Sequence, residues 1–310
     1  MLLAGVDEAG YGPRLGPLCV GFAALEVDPF DPLDPPNLWA ALRPVVGRAR
    51  SRKSAVQVDD SKRLKRANDR PFEPHERSCR AHLGLLGLAA ASDVEALARL
   101  GCEAPAGSLG PLGLLLDEAT AAIATNALRR RATATGVRMA HLAVDSIGAA
   151  RFNEAWRRTR SKGQIELEVI GPRLRWAWER AEEGGLVTLD RLGGRTRYGE
   201  ALREALPQAD EVLEVVRTPT RVVHRVRGGG RELHVEALVG GDGHRYPTAL
   251  ASIAAKWSRE LVMARFNRAF GELCPELKPT AGYGTDAARW IREARERLGR
   301  EIVDPVVRLA

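Results

Sequence analysis

A short apolar run, Leu2 to Val6, stops at two adjacent acids, Asp7 and Glu8, and a turn-forming stretch, Gly10-Tyr11-Gly12-Pro13. A second apolar run, Leu18 to Val27, follows it. Two apolar runs separated by glycine and proline read as paired strands. The chain is therefore expected to open with strands whose turn end carries carboxylates. A carboxylate at the end of a buried strand sits where the backbone stops and a cleft can begin. Two such groups side by side repel each other, a cost that a shared divalent cation offsets. Successive side chains on a regular strand point to opposite faces. Convergence of the two acids thus predicts that the chain leaves strand geometry at Glu8, which the Gly10-x-Gly12 turn allows.

Further along, residues 28–37 hold Pro29, Pro32, Pro35 and Pro36 and read as a loop. Residues 47–53 carry Arg48, Arg50, Arg52 and Lys53 with little apolar content, which reads as a solvated loop before it reads as a phosphate-contacting flap. Helices are expected over 88–100 and 114–134, the second with a stripe of Leu116, Ala119, Ile123 and Ala127. A strand over 139–144 precedes a polar helix with Phe152 and Trp156, and a helix over 174–182 carries Trp176 and Trp178 as packing residues. Residues 185–189 read as a buried strand. Around Gly228-Gly229-Gly230 the mixed apolar and charged segments 221–227 and 231–236 read as a β-hairpin, with Arg facing Glu or His across it. A helix over 249–266 has Leu250, Ile253, Trp257, Leu261 and Ala264 at helical spacing, and a last helix opens at Thr285-Asp286 as N-cap. Strands occurring both as hairpins and between helices predict a mixed α/β sheet.

Composition narrows the class. With 310 residues, 45% hydrophobic and 28% charged, the chain is neither a disordered tail nor a collagen-like repeat. Four scattered cysteines, Cys19, Cys79, Cys102 and Cys274, form no Cys-x-x-Cys pair, so neither structural zinc nor a disulfide frame is expected. The N-terminus lacks a basic, apolar leader and no apolar stretch is long enough to span a bilayer; a cytoplasmic protein with no membrane contact is expected. Lys and Arg number 47 against 40 Asp and Glu, a net charge of +7, which fits a phosphate-bearing partner slightly better than a merely solvated surface. No obligate protein partner is evident.

Three other acids share the strand-end character. Asp190 ends Leu186-Val187-Thr188-Leu189, Asp145 ends the 139–144 strand, and Asp242 sits in Gly240-Gly241-Asp242-Gly243 ahead of the 249–266 helix. Mg²⁺ and Mn²⁺ favour oxygen ligands, and two such ions can clamp the attacking and leaving oxygens of a phosphodiester. Asp145 and Asp190 compete on this logic.

Four segments resemble the type 2 ribonuclease H family, ribonuclease HII and its relatives. Gly5-Val6-Asp7-Glu8-Ala9-Gly10-Tyr11-Gly12-Pro13 with Leu15-Gly16-Pro17-Leu18 resembles the family's N-terminal signature. Asp60-Ser61-Lys62-Arg63-Leu64 is similar to its Asp-Ser-Lys segment. Ala251-Ser252-Ile253-Ala254-Ala255-Lys256 with Arg259-Glu260 resembles its Ala-Ser-Ile helix, and Gly282-Tyr283-Gly284-Thr285 its Gly-Tyr-x-Thr turn. Each is weak alone; four in order along the chain are specific.

The resemblance implies an RNase H-like α/β fold, with one catalytic domain spanning 1–310 and additions near 28–58, 140–185 and 214–238. It implies an endoribonuclease that cleaves the RNA strand of RNA/DNA hybrids, or ribonucleotides embedded in DNA, leaving 3′-hydroxyl and 5′-phosphate ends. Asp7, Glu8, Asp190 and Asp242 carry over as catalytic acids holding two Mg²⁺ or Mn²⁺ ions. Asp190 is preferred to Asp145 because 198–207 matches the helix that follows the family's third acid. Gly10, Tyr11 and Gly12 carry over as ribose-side contacts, Ser61, Lys62 and Lys256 as phosphate contacts, and Tyr283 as a sugar contact. Tyr283 as a plain turn residue and Lys256 as a solvated helix charge are the competing structural readings. Tyr11 stands where the family has Arg, and Gly193-Gly194-Arg195 departs from its commonest pattern. The competing functional readings are an inactive nucleic-acid binder of the same fold and a same-fold metal nuclease for another nucleic acid.

Overall fold

The computed structural model describes residues 1–51, 53–65, 70–102, 109–191, 195 and 197–309. The expectations placed on Arg52 and on Gly193 and Gly194 lie outside the described residues.

β1 (Leu2–Ala9) and β2 (Leu18–Glu26) pair antiparallel around the glycine turn. Next come the short α1 (Leu38–Ala41), the two-residue strands β3 (Val46–Gly47) and β4 (Val56–Gln57), and α2 (Ser61–Leu64). Helices α3 (Glu73–Leu85), α4 (Asp93–Leu100) and α5 (Glu118–Ala134) lead to β5 (Arg138–Ile147). Then follow α6 (Ala149–Thr159), α7 (Lys162–Arg180), β6 (Gly185–Asp190), α8 (Gly199–Ala205), β7 (Glu211–Arg217), β8 (Arg221–Gly228) and β9 (Arg231–Leu238). The chain continues through α9 (Gly241–His244), α10 (Tyr246–Leu273), α11 (Gly284–Leu298) and α12 (Arg300–Val303).

Seven strands form one sheet in the order β5-β2-β1-β6-β9-β8-β7. β1, β6 and β9 are parallel in its centre, and antiparallel strands flank them. The fold is thus α/β with a mixed sheet, as expected. Strand alternation divides the core. Leu3, Ala9, Cys19, Ala23 and Leu25 face α3, α4, α5 and α10, whereas Leu2, Ala4, Val6, Val20 and Phe22 face α6, α7 and α8. A third cluster joins Leu15 to the end of α10 and to α11 and α12. Segments 140–185 and 214–238, expected as additions, supply most of β5 and all of β8 and β9, so they are built into the main sheet.

α10 lies directly on β1. A Cβ on Gly5 would stand 2.2 Å from the Thr248 amide nitrogen, so only glycine admits this approach. The helix is buried nearly all round in its first three turns, from Tyr246 to Ala255.

Several local expectations need correction. The 88–100 helix begins only at Asp93, where Ser92 caps it, and α3 was not foreseen. α5 buries Ala121, Ala124, Thr125, Leu128 and Ala132, while Ile123 is 69% exposed. Packing against α3 selects the small-residue face, because it allows the two helices to approach closely. Asp286 does not cap α11. Tyr283 holds the cap position, and Asp286 accepts from the Thr280 hydroxyl and the Ala281 amide. The glycine hairpin forms as expected, with Arg227 against Glu232 and Arg221 against Glu236. All four cysteines are free and buried, and no helix among the described residues is long and apolar enough to cross a membrane.

Candidate active site

β1 remains in register with β2 through Ala9, so the chain does not leave strand geometry at Glu8. Asp7 and Glu8 accordingly point to opposite faces of the sheet. Asp7 lies on the α10 side beside Ser252, where its Oδ1 accepts the Glu8 amide at 2.8 Å, and Glu8 lies on the α7 side, where its carboxyl meets that of Glu166. Asp7 is 6% exposed. Burial pushes its carboxyl well above the usual aspartate range; Glu8, Asp190 and Asp242 push it the same way, and the nearby Ser252 hydroxyl opposes them.

Of the two acids that compete for the third place, Asp190 ends β6 as expected, whereas β5 runs on through Asp145 to Ile147. Asp190 follows Leu189, the register partner of Val6, so it leaves β6 beside Asp7. Its Oδ1 accepts the Gly241 amide at 2.8 Å, which anchors α9 and brings Asp242 to the same end of the sheet. Asp242 is pushed up to about 6, first by burial and then by Asp60 and Asp190. Asp145 lies on β5, two strands from β1, opposite Val20. The Arg173 guanidinium holds it through two hydrogen bonds of 2.6 and 2.8 Å, so its charge is already matched.

Asp7, Glu8, Asp190 and Asp242 form no ion pair with Lys or Arg among the described residues. As placed, no three His, Cys, Asp or Glu side chains among those residues close around one point. The donor set is nonetheless carboxylate oxygen throughout, and the buried Oε2 of Glu166 has no hydrogen-bond partner. Such a set suits a hard divalent cation and no softer metal.

The remaining sequence-derived residues surround this end of the sheet. Gly10 has φ +89°, and a Cβ there would stand 2.4 Å from the Pro17 carbonyl; Gly12 is exposed and open. Tyr11 is half-buried, and its carbonyl accepts Lys162 Nζ at 3.2 Å. Ser61 is buried, and its hydroxyl accepts from Ser252, which stands beside Asp7. Lys62 is exposed. Lys256 is half-buried and paired with Glu260 at 2.7 Å. Tyr283 is 42% exposed, with the Arg259 guanidinium 4.7 Å from its ring centre. The basic loop also touches the site: Arg48 stacks on Trp39 at 3.8 Å, pairs with Asp59 and donates to the Gly243 carbonyl.

Sequence reasoning missed Glu166, Ser252, Arg259 and Arg308 as site residues. Fully buried Arg259 donates to the carbonyls of Leu15 and Ala281, fastening the Gly282-Tyr283 turn to the N-terminal one. Arg308, also fully buried, donates to the carbonyls of Gly10 and Tyr11 and stacks on Phe152. Burial and the neighbouring Arg259 lower its pKa to about 10. Ser252 and Arg259 lie in the Ala-Ser-Ile segment already singled out, Glu166 carries the signal of an acid among Ile165, Ile170 and Leu174 on the buried stripe of α7, and Arg308 carries none.

No family model and no curated relative matches the chain. Over 95% or more of its length it is similar to several solved structures, three of which follow. A structure of the PCNA:RNase HII complex from Archaeoglobus fulgidus matches at 16% identity and TM-score 0.45, covering 100% of this chain and 94% of that one. Ribonuclease H2 from Pyrococcus horikoshii OT3 matches at 16% identity and TM-score 0.48, covering 99% and 92%. RNase H3 from Aquifex aeolicus matches at 13% identity and TM-score 0.45, covering 95% and 69%.

Proposed function

We propose that this protein is a metal-dependent endoribonuclease that hydrolyses the RNA strand of RNA/DNA hybrids, or ribonucleotides embedded in DNA, leaving 3′-hydroxyl and 5′-phosphate ends. The observation that carries the reading is the adjacency of Asp7 on β1 and Asp190 at the end of the parallel strand β6, without a cationic partner among the described residues, next to Asp242. A non-catalytic binder has no use for unpaired carboxylates beside phosphates. Mg²⁺ or Mn²⁺ held by Asp7, Glu8, Asp190 and Asp242 would supply a more acidic water and charge stabilisation for the departing 3′-oxygen.

The chain's own groups do the positioning. The Glu8 amide fixes the Asp7 carboxylate, and the Gly241 amide fixes that of Asp190. Gly10, Tyr11 and Gly12 offer backbone to the ribose 2′-hydroxyl, the group that separates RNA from DNA. Arg308 holds that turn from behind by its carbonyls. Tyr283 offers an exposed ring to the sugar, and exposed Lys62, Arg63 and Lys65 offer charge to phosphates, with Lys256 beside them.

The test compares cleavage of an RNA/DNA hybrid, a DNA duplex with one ribonucleotide and an all-DNA duplex, with Mg²⁺ or Mn²⁺ and with chelator. Metal-dependent cuts at ribonucleotides only, abolished by Asp7→Asn, are expected. Cleavage of all-DNA at the same rate, or binding of hybrid without turnover, would reject the reading.

A further inference from the structure

Glu166 is an acid that four carboxylates leave unused. The Ser161 hydroxyl accepts the Gln164 amide and so fixes the first turn of α7, which carries Glu166 inward beside Ile165 to 1% exposure. There it meets the Glu8 carboxyl, with Asp190 the next charged group; its Oε2 is enclosed and without a hydrogen-bond partner. The nearest lysine on its own helix, Lys162, gives its ammonium to the Tyr11 carbonyl instead.

The other buried acids of this chain are treated differently. Glu236 is held by Arg221, Arg245 and Thr188. Glu76 is held by Arg80 and the amides of Leu115 and Leu116, Asp93 by Arg265 and the Leu112 amide, and Asp59 by Arg48 and the Ala49 amide. Among the described buried acids, only Asp7 and Glu166 lack a guanidinium. Burying a carboxylate against others without a cation is costly, so a purely structural Glu166 would be expected to have such a partner.

Strand geometry gives the reason for its position. Because β1 stays regular through Ala9, Glu8 faces α7 and is turned away from the Asp7 side chain. A cation on that side needs a second carboxylate from the α7 layer. We propose that Glu166 is a fifth metal-holding carboxylate, pairing with Glu8 to hold one divalent cation on the α7 side of β1. This rests on the metal-dependent reading above and adds to its ligand set.

The experiment is a calorimetric titration of Mn²⁺ into the metal-stripped full-length protein without nucleic acid, for wild type, Glu166→Gln and Glu166→Asp. Glu166→Gln keeps the shape and removes the charge; it should weaken one ion by about tenfold or more. Glu166→Asp keeps the charge but draws the oxygens back by one methylene, so its loss should be smaller. Without metal, Glu166→Gln should melt above wild type, and Mn²⁺ should raise its melting temperature less. Wild-type stoichiometry and affinity in Glu166→Gln would overturn the proposal, as would a Gln variant that fails to fold while the Asp variant binds both ions normally. Wild-type protein that binds no Mn²⁺ would instead reject the nuclease reading itself.

Discussion

Val6 and Leu189 are register partners on the parallel strands β1 and β6, so Asp7 and Asp190, the next residues on each, stand side by side, Asp190 as the last residue of its strand. Asp145 ends no strand beside Asp7 and is clamped by Arg173. Asp190→Asn should therefore lower hybrid cleavage by about 10³-fold or more. Asp145→Asn should leave kcat within about threefold and cost about 1 kcal/mol of stability through the lost ion pair. Steady-state cleavage rates with urea melts of both variants check the contrast.

Burial and mutual repulsion raise Asp7 and Glu166, and raise Asp242 to about 6. Acids raised in the fold hold protons that the unfolded chain releases, so their stabilising effect is complete below the unfolded pKa near 4 and lost as pH rises through the folded value. Buried His75 and His82, lowered to about 4, act in the opposite sense over the same range, so the acid is read by difference. Metal-free Asp242→Asn should gain melting temperature on wild type as pH rises from about 4 to 7, and Mn²⁺ should raise the wild-type value most at the upper end. Calorimetric melts of both proteins across pH, with and without chelator, give the answer; a difference between them that stays constant from about pH 4 to 7 would contradict it.

At Gly5 the backbone of α10 occupies the space of a side chain, since a Cβ would stand 2.2 Å from the Thr248 amide nitrogen. Backbone cannot swing aside as a flexible side chain can. Gly5→Ala should cost about 3 kcal/mol or more, and by shifting Ser252 relative to Asp7 it should also reduce turnover of the remaining folded fraction. Denaturant unfolding beside activity per folded molecule separates the two effects.

Arg308 tethers the Gly10-Tyr11 turn through two carbonyls and sits over Phe152. Arg308→Met keeps much of the stacking volume and removes the donors. It should lower kcat/KM on hybrid by about 10-fold through looser placement of the ribose-side turn, mostly in KM, with Mn²⁺ affinity unchanged. Equal loss of Mn²⁺ binding would show that Arg308 supports the acids rather than the turn.

Much of the frame was legible because it rests on short-range pattern. Apolar runs ending in acids and glycine gave β1, β2 and β6, and the spacing of Leu250, Ile253 and Trp257 gave α10. The α5 face was misread because Ala and Thr were preferred to Ile123 only by the close approach of α3, which no local period records.

Alternation, turn chemistry and charge, which are properties of neighbouring residues, were enough to mark the acids near the turn ends of strands, though β1 and β5 run on past Asp7 and Asp145. Tertiary structure decided which acids share a site. Parallel register joined Asp190 to Asp7, Arg173 took Asp145 away, and the two-residue alternation of β1 sent Glu8 to the α7 side and to Glu166. Those outcomes depend on contacts between segments tens to hundreds of residues apart, where only the packed sheet fixes distance and direction.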